Sequence, residues 1–432
     1  MHLTPPGLVL AILTLVVGIL GLWTGDGSGV PWWRLFAGLL VLALAVELLI
    51  TRSRLLVARV AGGGRFYLGR DESLALEFDN PGPRGLALRF VATVPAAFDC
   101  AQDAQTLALA PFSTGTTALP VRSRRLGRHA FATLPARVRG PLGLAWWSRR
   151  LALDAELHVL PDTLGPKSTM SGATRGGASA KAAVGGTMEL NHLRDYRPGD
   201  ALHAIDWKAT ARSFDLVTRV FNEDQHLEVM LLIDVGRTSR TRIDTLDQFG
   251  HYANLAARFA EYCVASDDRV GLIAFADRPL VVLPPGRGVA AVQRLRQALT
   301  GLAPAPYESD VLRAALELRR RLRHRSLVVI LTDLYEQSAT SALVQASRLL
   351  LPAHLPFVVG LVSEDVVALA DALAADWLDP YRSLAARDYL QQIAGNVARL
   401  RQLGAQALTA RPGELDRRVL AHYDLLRAQR RI

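Results

Sequence analysis

The sequence predicts a multi-domain chain: an amino-terminal transmembrane helical hairpin, then a β-sandwich, then a doubly wound α/β domain. Three observations predict it. Two long apolar runs fall before Ile50, short alternating runs broken by Gly and Pro turns extend from Phe66 to Leu160, and buried-strand runs alternate with amphipathic helices from about Leu227 onward. The 432 residues exceed one ordinary domain. Half of them are hydrophobic, so a large core is available and global disorder is excluded.

The hairpin is assigned to residues 1–60. Gly7 to Trp23 carries no charge over 17 residues, and Leu35 to Ile50 carries only Glu47. A membrane helix needs roughly 20 apolar residues, and each run approaches this once its flanking Pro, Trp or Thr is included. The connection TGDGSGVPWWR holds turn formers, with Trp32 and Trp33 suited to the headgroup boundary. Arg52, Arg54 and Arg59 follow the second run, against a lone Arg34 in the connection, so the positive-inside rule puts both termini in the cytoplasm. The expectation is a multi-pass protein of the cell inner membrane with two helices and the bulk of the chain cytoplasmic. A cleaved signal peptide is the rival for the first run, but no basic stretch precedes it and no A-x-A site closes it.

Residues 61–163 read as the sandwich: SLALEF, then DNPGPRG, then LALRFVATV, and later HAFATLPARV before RGPLGL. Nothing catalytic stands out there. From Ala104 to Leu153 no acidic residue occurs, while Arg122, Arg124, Arg125, Arg128, Arg137, Arg139, Arg149 and Arg150 all do. Such a block suits nucleic acid, anionic lipid or an acidic partner, and the apolar runs that precede it favour the last two over DNA. The only cysteines, Cys100 and Cys263, form neither a disulfide framework nor a zinc spacing. Residues 164–188, rich in Gly, Ala, Ser and Thr, read as a flexible linker.

A signature segment is assigned to residues 189–225. Glu189 to Ser213 is dense in Asp, Arg, His, Tyr and Trp around a Pro-Gly-Asp turn. Asp200, His203 and Asp206 recur every third residue and would share one face of a short helix, as a metal or acid/base cluster does. The structural alternative has Arg–carboxylate pairs and the Trp locking the segment in place, with Asp200 as a helix cap after Pro-Gly. The run Arg194, Tyr196, Gly199, Asp200, Ile205, Asp206, Trp207, Ala211 and Arg212 resembles the signature of a bacterial domain-of-unknown-function family, number 58 in its series. The resemblance implies a neighbouring MoxR-type AAA+ ATPase and a von Willebrand factor type A domain following the signature. His203 departs from the arginine usual at that position.

Residues 226–432 are assigned to the α/β domain. Candidate strands are Leu227 to Ile233, Arg269 to Phe275, Leu327 to Thr332 and Pro356 to Val362, with helices between them over Leu246 to Ala265 and Asp310 to Arg323. After Val362 come an amphipathic helix, a short apolar ALTA strand and a last helix. Ligands of such sheets sit at the carboxyl ends of the strands, which picks out Asp234 and Asp333. By resemblance to type A domains, these carboxylates belong to a metal-ion-dependent adhesion site, with Mg2+ as candidate cofactor. Mapped residue by residue, the Asp-x-Ser-x-Ser loop reads Asp234, Gly236, Thr238, the distant Thr falls on Ser309, and the last carboxylate on Asp333. The site is degenerate, since Gly236 offers no side-chain oxygen. A water or Ser239 could stand in, and Arg237 adds positive charge at a position expected to point away. The alternative is that both carboxylates cap helices and pair with arginines. The Arg319 to Arg325 run reads as a solvated helix end, and PPGRG, Pro284 to Gly288, as a loop into a helix that lacks the Lys of a phosphate loop.

The functional expectation is a membrane-anchored cytoplasmic scaffold or adaptor, not an enzyme. It would bind protein partners and membrane lipid but no nucleic acid, with a MoxR-type ATPase as the partner implied by resemblance. The rival is a metal-dependent hydrolase using Asp200, His203 and Asp206.

Overall fold

The computed structural model describes residues 2–23, 32–53, 56–91, 93–101, 104–163, 190–197, 205–213, 215–221, 227–335, 337–373 and 375–429. The segment expected to be a linker, 164–188, lies outside the described residues. The chain is multi-domain and mixes helix with sheet.

It opens with a short strand, β1 (His2–Leu3), followed by α1 (Pro5–Trp23) and α2 (Trp32–Ser53). Within α2 the run Trp33–Thr51 is long and apolar enough to cross a membrane; in α1 the apolar part, Pro5–Leu20, is shorter. Both helices leave large apolar side chains exposed, among them Leu15, Ile19, Leu39 and Leu49. Among the described residues, none buries these outward faces.

Alternation then gives β2 (Val57–Val60), β3 (Arg65–Tyr67), β4 (Asp71–Asn80), β5 (Leu86–Val91), β6 (Phe98–Cys100), β7 (Ala104–Leu109), β8 (Ser113–Ser123), β9 (Gly127–Arg139) and β10 (Ala145–Leu160). They form two sheets, β1-β10-β9-β5-β7 with β3 beside β10, and β2-β4-β8-β6. Every second side chain faces a shared core: Leu74, Leu76 and Phe78 from one sheet meet Leu88, Phe90 and Leu134 from the other. The turn between β9 and β10 rests on the helices. Glu47, the lone charge of the apolar part of α2, is fully buried there, and its Oε1 accepts the Leu144 N–H at 3.1 Å. Gly140 makes room for it, since a Cβ at 140 would collide with the Glu47 carboxylate.

Next come β11 (Leu190–Asp195), α3 (Trp207–Ser213) and β12 (Val217–Phe221), with β11 and β12 paired as a separate antiparallel ribbon.

The remainder is β13 (Glu228–Asp234), β14 (Arg242–Ile243), β15 (Leu246–Asp247), α4 (Gln248–Ala265), β16 (Arg269–Phe275), β17 (Pro279–Gly286), α5 (Gly288–Thr300), α6 (Val311–Arg321), β18 (Ser326–Leu331), α7 (Gln337–Leu350), β19 (Leu355–Leu361), α8 (Glu364–Asp371), α9 (Asp379–Gln402), β20 (Gln406–Ala410) and α10 (Leu415–Ala428). The sheet order is β17-β16-β13-β18-β19-β20, parallel except for β17 at one edge. Pro284 to Gly286, expected in a loop, instead end this edge strand, where a residue without an N–H is tolerated. Helices α4, α5 and α10 cover one face, and α6, α7 and α9 the other. This explains why β13, β18 and β19 read as unbroken apolar runs.

The sandwich docks on α4. Leu246 is part of the sandwich core, the Asn254 amide donates to the Leu68 carbonyl at 3.1 Å, and Asn254 Oδ1 accepts the Asp162 N–H at 2.8 Å. Arg258 pairs with Asp162 at 2.6 Å.

Candidate functional site

The chain leaves β13 toward β16 on one side, while β18 lies on the other. This reversal opens a crevice at the carboxyl ends of β13 and β18, the usual ligand position in an open α/β sheet. Asp234 ends β13, and Thr332 and Asp333 follow β18.

Asp234 is 2% exposed and held on all sides. Its Oδ1 accepts the Gly236 N–H at 2.9 Å and the Ser309 hydroxyl, and its Oδ2 accepts the Thr332 hydroxyl at 2.7 Å. Ser239, fully buried, places its hydroxyl 2.7 Å from the Asp234 carbonyl oxygen and 3.3 Å from Oδ1. The loop is pinned from outside, with the Arg237 N–H donating to the Tyr307 carbonyl at 2.7 Å and the Ala305 N–H to the Val235 carbonyl at 2.7 Å. Gly236 is thus a point of close approach. A Cβ there would run into the Ser309 hydroxyl and lie 2.9 Å from the Tyr307 carbonyl oxygen. The room that a serine at 236 would need is taken by Ser309.

Asp234, Thr238, Ser309 and Asp333 all line one cavity of about 120 Å3, so the structure brings the four expected metal-site residues together. Arg237, expected to point away, lines the same cavity and approaches Glu308 at 3.7 Å. Both partners are more than half exposed, so the pair contributes little stability. Asp333 is half-buried and its Oδ1 accepts the Tyr335 N–H at 3.0 Å, which makes it a turn cap as well as a cavity wall. Tyr335 stacks on Tyr389 with ring centroids 4.5 Å apart. Burial, then the Asp333 charge, pushes the Tyr389 hydroxyl up to about 12. Beneath the crevice the Tyr252 hydroxyl donates to the Thr332 carbonyl at 2.8 Å, and burial, assisted by Asp333 and Asp234, raises its pKa strongly. Both phenols are therefore neutral at physiological pH.

Among the described residues no three of His, Cys, Asp and Glu gather as a metal cluster. The donors in the crevice are oxygens alone, which suits Mg2+ over a transition metal. Asp234, Thr238, Ser309 and Asp333 are the residues that would hold such an ion, with water where Gly236 offers nothing. Each carboxylate oxygen accepts about two hydrogen bonds. Oδ1 of Asp234 is saturated, and Oδ2 keeps one acceptor site beside Thr332.

In the signature segment, the Tyr196 N–H donates to the Leu216 carbonyl and the Asp206 N–H to the Val217 carbonyl, each at 2.8 Å. Asp206 is 9% exposed, and its Oδ1 accepts the N–H groups of Lys208 at 3.0 Å and Ala209 at 3.1 Å. Asp206 thus caps the start of α3; the capping role expected of Asp200 falls outside the described residues. Trp207, expected to lock the segment by packing, is 66% exposed. Arg194 lies in β11 and Arg212 in the exposed last turn of α3. Gly199, Asp200 and His203 lie outside the described residues, so of the expected acid/base cluster only Asp206 is placed.

Ser239 and Thr332 are the site residues that sequence reasoning did not assign. Ser239 had only been offered as a stand-in ligand. The available signal was a hydroxyl directly before Asp333, in the LTD triplet, and another five residues after Asp234.

The family model described as "Protein of unknown function DUF58" matches residues 192–351, which span the signature segment and the crevice. No curated protein matches the chain. Among solved structures, the conserved hypothetical protein BatB from Bacteroides thetaiotaomicron is similar at 14% identity and a TM-score of 0.32, covering 47% of this chain and 99% of that one. A point mutant of Salmonella alpha-2-macroglobulin is similar at 18% identity and a TM-score of 0.18, covering 24% of this chain and 7% of that one. The native conformation of the E. coli alpha-2-macroglobulin is similar at 18% identity and a TM-score of 0.19, over 24% and 6%.

Proposed function

We propose that this chain is a membrane-anchored cytoplasmic scaffold of the signature family. It binds protein partners at the carboxyl-end crevice of a type A-like domain and catalyses no reaction. Both α1 and α2 cross the bilayer as a hairpin, and the arginines after α2 hold the remainder in the cytoplasm. The observation that carries this reading is the hydrogen bonding of Asp234. Its carboxylate is tied to the chain's own hydroxyls, while the crevice rim presents Asp333, Arg237, Glu308 and the exposed rings of Tyr307 and Tyr335. A rim of aromatic rings and arginine around a small polar hollow suits protein recognition. Among the described residues, the cavity lining includes no histidine or cysteine. The engagement of Asp206 in capping speaks against the hydrolase reading.

The partner we propose is a MoxR-type AAA+ ATPase, whose remodelling work this subunit would direct to the membrane surface. The test is a pull-down with the detergent-solubilised full chain, with and without nucleotide. Recovery of the ATPase by the wild type, reduced by Asp333→Ala with Tyr335→Ala, is the expected result. No ATPase under either condition sinks the partner. Mg2+ enters as a candidate cofactor of the same crevice, where its open coordination positions would receive an acidic side chain of the partner. Calorimetry with Mg2+ or Mn2+ decides it: weak binding removed by Asp234→Ala and by Asp333→Ala is expected, and identical traces dismiss the ion while leaving the scaffold reading untouched.

A further inference from the structure

The outer face of the larger sandwich sheet carries a cluster of arginines. Arg89 on β5 stands directly opposite Arg137 on β9, Arg137 is also opposite Ser148 on β10, and Arg150 is opposite Pro135 two residues along. Like charges directly opposite one another destabilise a sheet. Elsewhere in the same acid-free stretch the structure compensates: Arg122 pairs with Asp71 and Arg124 with Asp99. Among the described residues no carboxylate pairs with Arg89, Arg137 or Arg150. These three line a groove of about 460 Å3 whose remaining wall includes Val91, Ala104 and Pro135.

The groove lies near the carboxyl end of α2. Arg149 donates to the Thr51 carbonyl at 3.1 Å, at the carboxyl end of α2. The turn after Arg139 is seated on Glu47 and leaves Leu142 57% exposed beside the helices. Arg137 lies two residues from Arg139, roughly 7 Å along the strand. The arginine cluster therefore stands at the height where the headgroups of a bilayer entered by α2 would lie.

We propose that this groove binds the phosphate of an anionic phospholipid headgroup, with the three guanidinium groups on the phosphate and Val91, Ala104 and Pro135 against the glycerol. This rests on the reading of α2 as a membrane helix. Guanidinium forks match phosphate oxygens in pairs, which favours arginine over lysine at such a site. A single-stranded nucleic acid is disfavoured because the groove's one aromatic residue, Phe90, is buried and offers no ring for stacking.

The test uses the full chain in neutral detergent micelles doped with phosphatidylglycerol or phosphatidylcholine, with retained lipid counted by native mass spectrometry. Each arginine near an anionic surface is worth roughly fivefold in affinity, so Arg89→Gln, Arg137→Gln and Arg150→Gln together are expected to weaken phosphatidylglycerol binding on the order of a hundredfold. The same triple variant is expected to melt no earlier than the wild type, because it relieves repulsion. The control triple Arg320→Gln, Arg323→Gln and Arg325→Gln, at the far end of α6, should leave lipid binding unchanged. Equal retention of phosphatidylcholine, an equal loss in the control, full displacement by inorganic phosphate, or tighter binding of polyglutamate or single-stranded DNA would each overturn the proposal. Carbonate extraction of membranes judges the anchor separately. A chain that stays in the membrane while the arginine triple keeps its lipid affinity refutes the groove alone, and a chain that is extracted refutes the anchor.

Discussion

Position 236 shows why a missing ligand and a close contact look alike in a sequence. The loop retains its aspartate and one hydroxyl of the metal pattern, so glycine there reads as a loss. In three dimensions the Ser309 hydroxyl occupies that room and donates to Asp234. Restoring the pattern with Gly236→Ser is therefore expected to destabilise the chain, by about 1–3 kcal/mol as overpacking does, which urea unfolding of the solubilised protein measures. A variant as stable as the wild type would mean that the Ser309 contact is dispensable. Asp234 and Asp333 were legible because strand-end position alone selects them. Ser239 and Thr332 were not, because a hydroxyl's partner depends on which strands become neighbours. The capping by Asp206 has the same origin, since only the backbone's path decides which N–H groups a carboxylate meets.

For whole elements, sequence pattern is more informative. The parallel strands appear within a residue or two of where their apolar runs predict, because burial on both faces leaves no polar position to blur their ends. The edge strand β17 escaped notice because its prolines and glycine carry loop signals that an edge tolerates. Glu47 is the instructive case in α2: a lone carboxylate in an apolar run is visible at once, but its partner is a backbone amide 97 residues away. Replacing it by leucine should leave the Leu144 N–H without an acceptor. Its hydrogen exchange is then expected to accelerate on the order of tenfold, whereas Glu47→Gln, which keeps an acceptor oxygen, should preserve protection. On α4, burial lowers the pKa of His251, whose Nε2 hydrogen-bonds the Ile243 carbonyl; His354 and His422 are lowered chiefly by burial, and secondarily by Arg319 and Arg401. A histidine held neutral stabilises the fold above its unfolded value of 6.5, and that stability is lost as pH falls through the depressed folded values. The melting temperature should therefore drop between about pH 7 and about pH 5, and a flat profile contradicts the assignment.

Across the whole molecule, the sandwich and the α/β domain share a polar seam. Asp162 side-chain atoms are 11% exposed and bind Arg258, while Arg70 stands off at 3.8 Å. Arg258→Ala removes the closer of the two guanidinium groups at that carboxylate, and a loss of about 1–3 kcal/mol is expected, short of a fully orphaned charge because Arg70 remains. Scanning calorimetry should then resolve the single transition expected for the wild type into two. One transition in both proteins would show that Leu246, not the ion pair, couples the cores. This seam was not legible in the sequence, because its residues are spread from Leu68 to Asp416.

Leu246 has a mechanical consequence. Only a few residues separate it from the buried loop around Asp234, yet its side chain sits in the core of the neighbouring sandwich. A tug on whatever occupies the crevice would be transmitted sideways at once, through packed side chains into β10 and from its turn to Glu47, without passing along the backbone between residues 163 and 227. A load applied at the crevice therefore reaches α2 through packed side chains and the Glu47 hydrogen bond.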